Sequence, residues 1–154
     1  MATVRPPRVY LIRHGKAERE HAHGDAARRL SPDGRARFQK LLAEAGPSLK
    51  VLRILTSPFA RTRQTADLLA AAVHAPVEEV EELAPGRSTG RELLRLARGA
   101  GDGTAVVGHN PDVAEAIAIA AGHTEEVKPG TIAAVELHPD GPKLAWLRRP
   151  PRED

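Results

Sequence analysis

Arg13-His14-Gly15 follows directly on the apolar run Val9-Tyr10-Leu11-Ile12. Arginine carries a planar fork of donors that matches phosphate oxygens. Histidine is a nucleophile that is substantially neutral at pH 7. A phosphate clamp beside such a nucleophile points to phosphoryl transfer through His14 itself. The tripeptide alone would also fit a surface Arg-His turn, so its weight depends on the rest of the chain. Two further segments supply partners of the same chemistry. Ser57-Pro58-Phe59-Ala60-Arg61 carries a second arginine, and Gly108-His109-Asn110-Pro111 a second histidine.

The elements around these residues explain how they meet. A short apolar run ended by glycine reads as a buried strand stopping in a tight turn, here Arg8–Arg13. Strand Val51–Thr56 leads to a helix over Pro58–Val73, with Ser57 as its cap and Pro58 at its first position. Arg61 then lies in the first helical turn, beside free N–H groups that also favour anions. Strand Thr104–Gly108 ends at His109, and Asn110 caps a helix over Pro111–Ala121. In open α/β sheets, ligands bind beyond the carboxyl ends of such strands. Three strands therefore deliver Arg13 and His14, Arg61, and His109 to one sheet edge. Elsewhere the pattern predicts a polar loop from Lys16 to Leu30, and a helix between Ser31-Pro32 and Gly46-Pro47. It also predicts a short strand near Val77–Val80 and a helix over Thr89–Arg98 with Leu93, Leu94, Leu96 and Ala97 inward. Thr131–His138 alternates and turns through Pro139-Asp140-Gly141-Pro142 into Leu144–Leu147, an edge hairpin. The expected architecture is a three-layer α/β/α sandwich with a mostly parallel sheet, forming one domain with tails near 1–7 and 149–154.

Taken together, these blocks resemble the histidine phosphatase superfamily. They are Arg13-His14-Gly15, Ser57-Pro58 with Arg61 and Gln64-Thr65-Ala66, and Gly108-His109-Asn110-Pro111. Asp25, Arg28, Leu30 and Gly34, then Glu82-Leu83-Ala84-Pro85, resemble its small bacterial phosphohistidine phosphatase (SixA-like) branch. The resemblance runs from about Val9 to Pro111, with the blocks in the family's order. It implies a fold of the phosphoglycerate-mutase type and a phosphatase that removes phosphate from phosphohistidine, for example on a histidine-containing phosphotransfer domain. Inorganic phosphate would be the product. It also implies roles. His14 would become phosphorylated, Arg13, Arg61 and His109 would hold the phosphoryl oxygens, and Glu82 would protonate the leaving group. Glu81 and Glu18 are the reserve donors, and a solvated Glu82 in the acidic run Glu78–Glu82 is the competing reading.

Charge alone supports a mechanism free of metal or cofactor. Two unit charges ~4 Å apart interact by about 4 kcal/mol at an effective dielectric of about 20. Two arginines can therefore stabilise a dianionic phosphoryl group and disfavour the imidazolium form of His14. His21 and His23, near Glu20 and Asp25, lack supporting ligands and read as loop residues. His74, His123 and His138 fall at element ends and read as structural or exposed. No Walker-type loop or strand-borne G-x-G-x-x-G occurs, and Gly101-x-Gly103 precedes a strand and reads as a turn.

Composition bounds the rest. At 154 residues with 41% hydrophobic content, the chain suffices for a buried core. It has no cysteine, which removes disulfide and thiolate chemistry. No apolar leader follows Met1 and no run approaches ~20 apolar residues, so a cytoplasmic address and no membrane partner are expected. A net charge of +3 is small and aromatics are only 3%, leaving few stacking platforms for nucleic acid. The arginines Arg148, Arg149 and Arg152 read as a solvated tail. Only Glu78–Ser88 separates the short strand from the next helix, too little for a helical lid, so an open cleft is expected. Two other functions remain compatible: hydrolysis of small phosphate esters at the same site, and a non-catalytic module that binds phosphorylated partners.

Overall fold

The structure is a computed structural model that describes residues 5–152. Residues 1–4 and 153–154, the outer parts of the expected tails, lie outside the described residues. One six-stranded sheet runs β3-β2-β4-β1-β5-β6 across the molecule. Its strands are β1 (Arg8–Arg13), β2 (Arg53–Thr56), β3 (Val77–Glu79), β4 (Thr104–Gly108), β5 (Ile132–His138) and β6 (Gly141–Arg148). The helices are α1 (Pro32–Ala45), α2 (Ala60–Val73), α3 (Gly90–Ala100) and α4 (Asp112–Ala121). β3, β2, β4 and β1 are mutually parallel, β5 is antiparallel to β1, and β6 closes the hairpin at the sheet edge.

The central strands are apolar because both of their faces are covered. Residues 9–12 and 104–108 are buried throughout, as sequence runs of this kind require in a parallel sheet. Alternation along each strand divides the core into two layers. Val9, Leu11, Val106, Ala133 and Val135 pack with Leu93, Val113 and Ile117 of α3 and α4. Tyr10, Ile12, Ile54, Ala105 and Ile132 pack with Phe38, Leu41, Ala66 and Leu69 of α1 and α2. The result is the α/β/α sandwich that the element order predicts. Ser31 caps α1 by accepting from Gly34 N, and Thr89 with Glu92 forms a capping box on α3.

Several boundaries differ from the sequence reading, with local causes. β2 begins at Arg53 rather than Val51, because Leu52 N–H already turns to Gly103 O at 2.7 Å. Ser57 does not cap α2, which starts at Ala60 after an uncapped Phe59. The Ser57 hydroxyl is engaged by His109 instead. Pro111 flanks α4 rather than opening it, yet Asn110 Oδ1 still accepts from Ala114 N at 3.2 Å. α3 extends to Ala100, and Leu96 is only partly buried. The basic tail is partly docked. Arg149 donates twice to Glu126 O, at 2.7 and 3.0 Å, and Pro151 O accepts from Arg37 Nε at 2.8 Å.

Candidate active site

The register of the parallel strands builds the site. Arg13 pairs with Gly108 and Thr56 with Val107, so the residues that follow β1, β2 and β4 emerge at one edge. His14 N–H donates to Gly108 O at 3.1 Å, which locks the first histidine beside the strand that carries the second. The His14 and His109 rings lie 5.3 Å apart, centroid to centroid. Gly15 N–H donates to Thr65 Oγ1 at 3.0 Å, and Leu30 N–H to Gln64 Oε1 at 2.8 Å. The Gln64-Thr65 pair of α2 thus anchors both ends of the loop after β1, a role that sequence alone left unassigned.

His14 is 9% exposed. Its Nδ1 lies 2.7 Å from Gly15 O. A carbonyl only accepts, so Nδ1 carries the proton and Nε2 keeps a free lone pair. Burial pushes the imidazole pKa down to about 4; the Gly15 carbonyl opposes this, while Arg61, Arg13 and Arg28 add to it. The arginines therefore disfavour the imidazolium as expected, but burial is the larger cause. His109 is 3% exposed and its pKa falls to about 3, from burial first and then from the His14 and Arg61 charges.

Arg61 is 6% exposed and lies over the Phe59 ring, 5.1 Å from its centroid. Nη1 donates to Asp25 O at 2.8 Å and Nη2 to Asp25 Oδ2 at 3.2 Å. Asp25 belongs to a short turn, Asp25–Ala27, and is held below the usual carboxylate range, first by its bond from Arg28. Arg28 donates to Asp25 Oδ1 at 2.9 Å and to Glu18 O at 2.8 Å. Arg13 donates through Nη1 to Val127 O at 2.9 Å. Among the described residues, five buried side-chain polar atoms lack a hydrogen-bond partner, and three of them are Arg13 Nε, Arg61 Nε and His109 Nδ1. Buried polar atoms left open are uncommon, and each calls for a partner such as a water, an ion or a ligand.

The other nominated residues sit apart. Glu82 lies in the turn Glu81–Leu83 after β3, exposed, its carboxylate free of hydrogen bonds and ion pairs among the described residues. Two strands separate β3 from β1, so these two strands lie about 14 Å apart at ~4.8 Å per strand, with Glu82 on the turn beyond β3. Glu18 Oε1 accepts from Arg29 N. His23 N–H donates to His21 Nδ1, and no group of His, Cys, Asp or Glu suited to a metal occurs among the described residues. Arg63 points away from the site, bonded to Asp67 at 3.1 Å and Glu79 at 2.9 Å.

Residues 9–92 match the family model of the histidine phosphatase superfamily, branch 1. The chain belongs to that superfamily. It is 44% identical over 124 residues to an uncharacterized protein of Picosynechococcus sp., covering 75% of this chain and 74% of that one. Among solved structures it is similar to a candidate phosphohistidine phosphatase SixA from Agrobacterium tumefaciens, with a TM-score of 0.83 at 23% identity over 94% of this chain and 99% of that one. It is also similar to the protein histidine phosphatase SixA complexed with tungstate, with a TM-score of 0.79 at 24% identity over 91% and 95% of the two chains. These likenesses place the architecture with the SixA-type fold. Family and fold together support a hydrolase.

Proposed function

We propose that this histidine phosphatase removes phosphate from phosphohistidine on a signalling or phosphotransfer protein, through a phospho-His14 intermediate. One observation carries the reading: a buried, neutral histidine with a free Nε2 stands beside Arg13, Arg61 and His109, each of which keeps one buried nitrogen without a partner among the described residues. In the first step His14 Nε2 attacks phosphorus, and the bond from phosphorus to the substrate's imidazole nitrogen breaks. The leaving nitrogen takes a proton. In the second step water attacks phospho-His14 and releases inorganic phosphate. Arg13, Arg61 and His109 hold the oxygens throughout, which is where positioning and charge matter most in phosphoryl transfer.

Glu82 is the proton donor in this scheme, on the turn after β3, with a carboxylate that no other described residue engages. Glu81, in the same turn and without a side-chain partner among the described residues, is the reserve. Glu18 is the weaker candidate, since the Arg29 amide occupies it.

A protein substrate fits the shape of this edge. Between β3 and α3 the chain forms one short turn and no α-helix, so no helical lid crosses that side. Among the described residues no helix is long and apolar enough to cross a membrane. Turnover of a phosphohistidine-bearing phosphotransfer domain, measured beside a panel of small phosphate esters, tests the substrate class. A kcat/KM preference for the phosphoprotein supports it. Preference for an ester would place the enzyme among small-molecule phosphatases, and no turnover of either would leave a phosphate-binding module.

A further inference from the structure

Ser57 is fully buried at the end of β2, with its Oγ 2.8 Å from His109 Nε2. We propose that Ser57 is a positioning residue: its hydroxyl donates to His109 Nε2 and holds the His109 proton on Nδ1, the buried nitrogen left without a partner among the described residues. This deepens the phosphate-binding role given to His109 above and rests on that reading for its catalytic consequence.

The inference follows from donors and acceptors. A serine hydroxyl has one proton to give and two lone pairs. One lone pair of Ser57 Oγ receives Phe59 N–H at 3.2 Å. The hydroxyl proton needs an acceptor, and His109 Nε2 is the one the described residues offer. The neighbouring hydroxyls are committed elsewhere: Thr56 and Thr62 both turn to Ser57's own carbonyl, each at 3.0 Å. In the reverse assignment Nε2–H would donate to Ser57. The serine proton would then be buried without a partner, which is costly.

The consequence lies at the other nitrogen. His109 is held neutral by burial and by the charges around it, so its ring has a single proton for two nitrogens. The partner of one nitrogen decides the state of the other. With Ser57 donating to Nε2, Nδ1 becomes an N–H, already formed and unpaired before any ligand arrives. The opposite tautomer would turn a lone pair toward an arriving phosphate oxygen. The hydroxyl of Ser57 thus sets the polarity of a donor that the substrate meets one residue away.

The direct test is nitrogen-15 NMR of the His109 imidazole in the ligand-free protein near pH 7. The expected result is a protonated Nδ1 and a bare Nε2; the opposite assignment overturns the proposal, whatever the protein catalyses. Ser57→Ala should shift His109 toward the Nε2–H tautomer. It should lower kcat for p-nitrophenyl phosphate by about tenfold or more, up to the roughly 100- to 1000-fold typical of losing one such donor, and weaken inhibition by inorganic phosphate. Ser57→Thr, which keeps a hydroxyl, should restore the Nδ1–H signature. In a His109→Ala background, Ser57→Ala should cost nothing more, because the two residues act as one unit. An equal further loss there would mean that Ser57 acts elsewhere. If neither the phosphohistidine protein nor a phosphate ester is turned over, the phosphatase reading fails while the NMR result still decides the tautomer.

Discussion

Arg61 and Arg63 share the first turns of α2, yet their replacement should have opposite consequences. Successive helical residues rotate by ~100°, so positions two apart face away from each other. The buried residues of α2 are Arg61, Thr62, Thr65, Ala66 and Leu69, one continuous face, and Arg63 lies outside it. Arg61 brings its guanidinium to the His14 edge with Nε unpaired, whereas both ends of Arg63 are bonded to the carboxylates of Asp67 and Glu79. Those two pairs are about half-exposed and are worth roughly 0.2–1 kcal/mol at such sites. Arg63→Ala should therefore lower stability by no more than about that amount and leave kcat unchanged. Arg61→Ala removes a preorganised cation from the transition state, a loss of about 2.7–4 kcal/mol, or roughly 100- to 1000-fold in kcat. Arg61→Lys should recover only part of this, since an ammonium lacks the fork. Steady-state kinetics on variants shown by circular dichroism to be folded make the comparison. Equal losses at positions 61 and 63 would refute the assignment of the helix face.

Other perturbations follow from the same geometry. Because the His14 pKa is depressed to about 4, the acid limb of kcat/KM should fall near pH 4 rather than near the ordinary histidine value; an acid limb near 6.5 would contradict the buried neutral nucleophile. The unfolded chain binds the proton that native His14 refuses, so stability is retained above about pH 6.5 and falls as the pH drops toward 4, by about 3 kcal/mol for this group alone. Urea midpoints should show that fall already between pH 6.5 and 5, and His14→Ala should lessen it. Asp25→Asn frees the Arg61 fork from a competing carboxylate, so inorganic phosphate should inhibit more tightly, by about 1.5- to 5-fold for a pair of this exposure; weaker inhibition would mean that Asp25 orients Arg61 rather than competing for it. A Cβ at Gly34 would stand 2.0 Å from the backbone oxygen of Lys16, so Gly34→Ala should destabilise by about 1–3 kcal/mol or more, read by urea unfolding. Since the arginines supply the positive charge, activity should survive EDTA; loss reversed by a divalent ion would bring His21 and His23 back as ligands.

Much of this arrangement was legible in the sequence for a physical reason. Buried parallel strands must be apolar along their length, so Val9–Ile12 and Ala105–Val107 announced β1 and β4, and the residues just beyond them had to emerge at one edge. Arg13, His14 and His109 could be placed in that way. Arg61 could be placed by helix phase, even though α2 began two residues later than Ser57-Pro58 suggested. What the sequence concealed were the partners that depend on loops. Asp25 reaches Arg61 across 36 positions, and Ser57 reaches His109 across 52, with no local periodicity to mark either. Ser57 was also ambiguous in type, since serine before proline is an ordinary helix cap. Glu82 illustrates the opposite case. Its nomination came from family resemblance alone, and its position on the turn after β3 makes reach, rather than chemistry, the question for that residue.

The central claim is that His14 carries the phosphoryl group during turnover. Rapid denaturing quench of the enzyme with a phosphorus-32-labelled phosphohistidine protein, followed by peptide mapping, tests it directly. The account predicts a label that is stable in alkali, lost in acid, located on the peptide containing His14, and absent from His14→Ala. Label persisting in His14→Ala, or turnover in that variant at the wild-type rate, would contradict it.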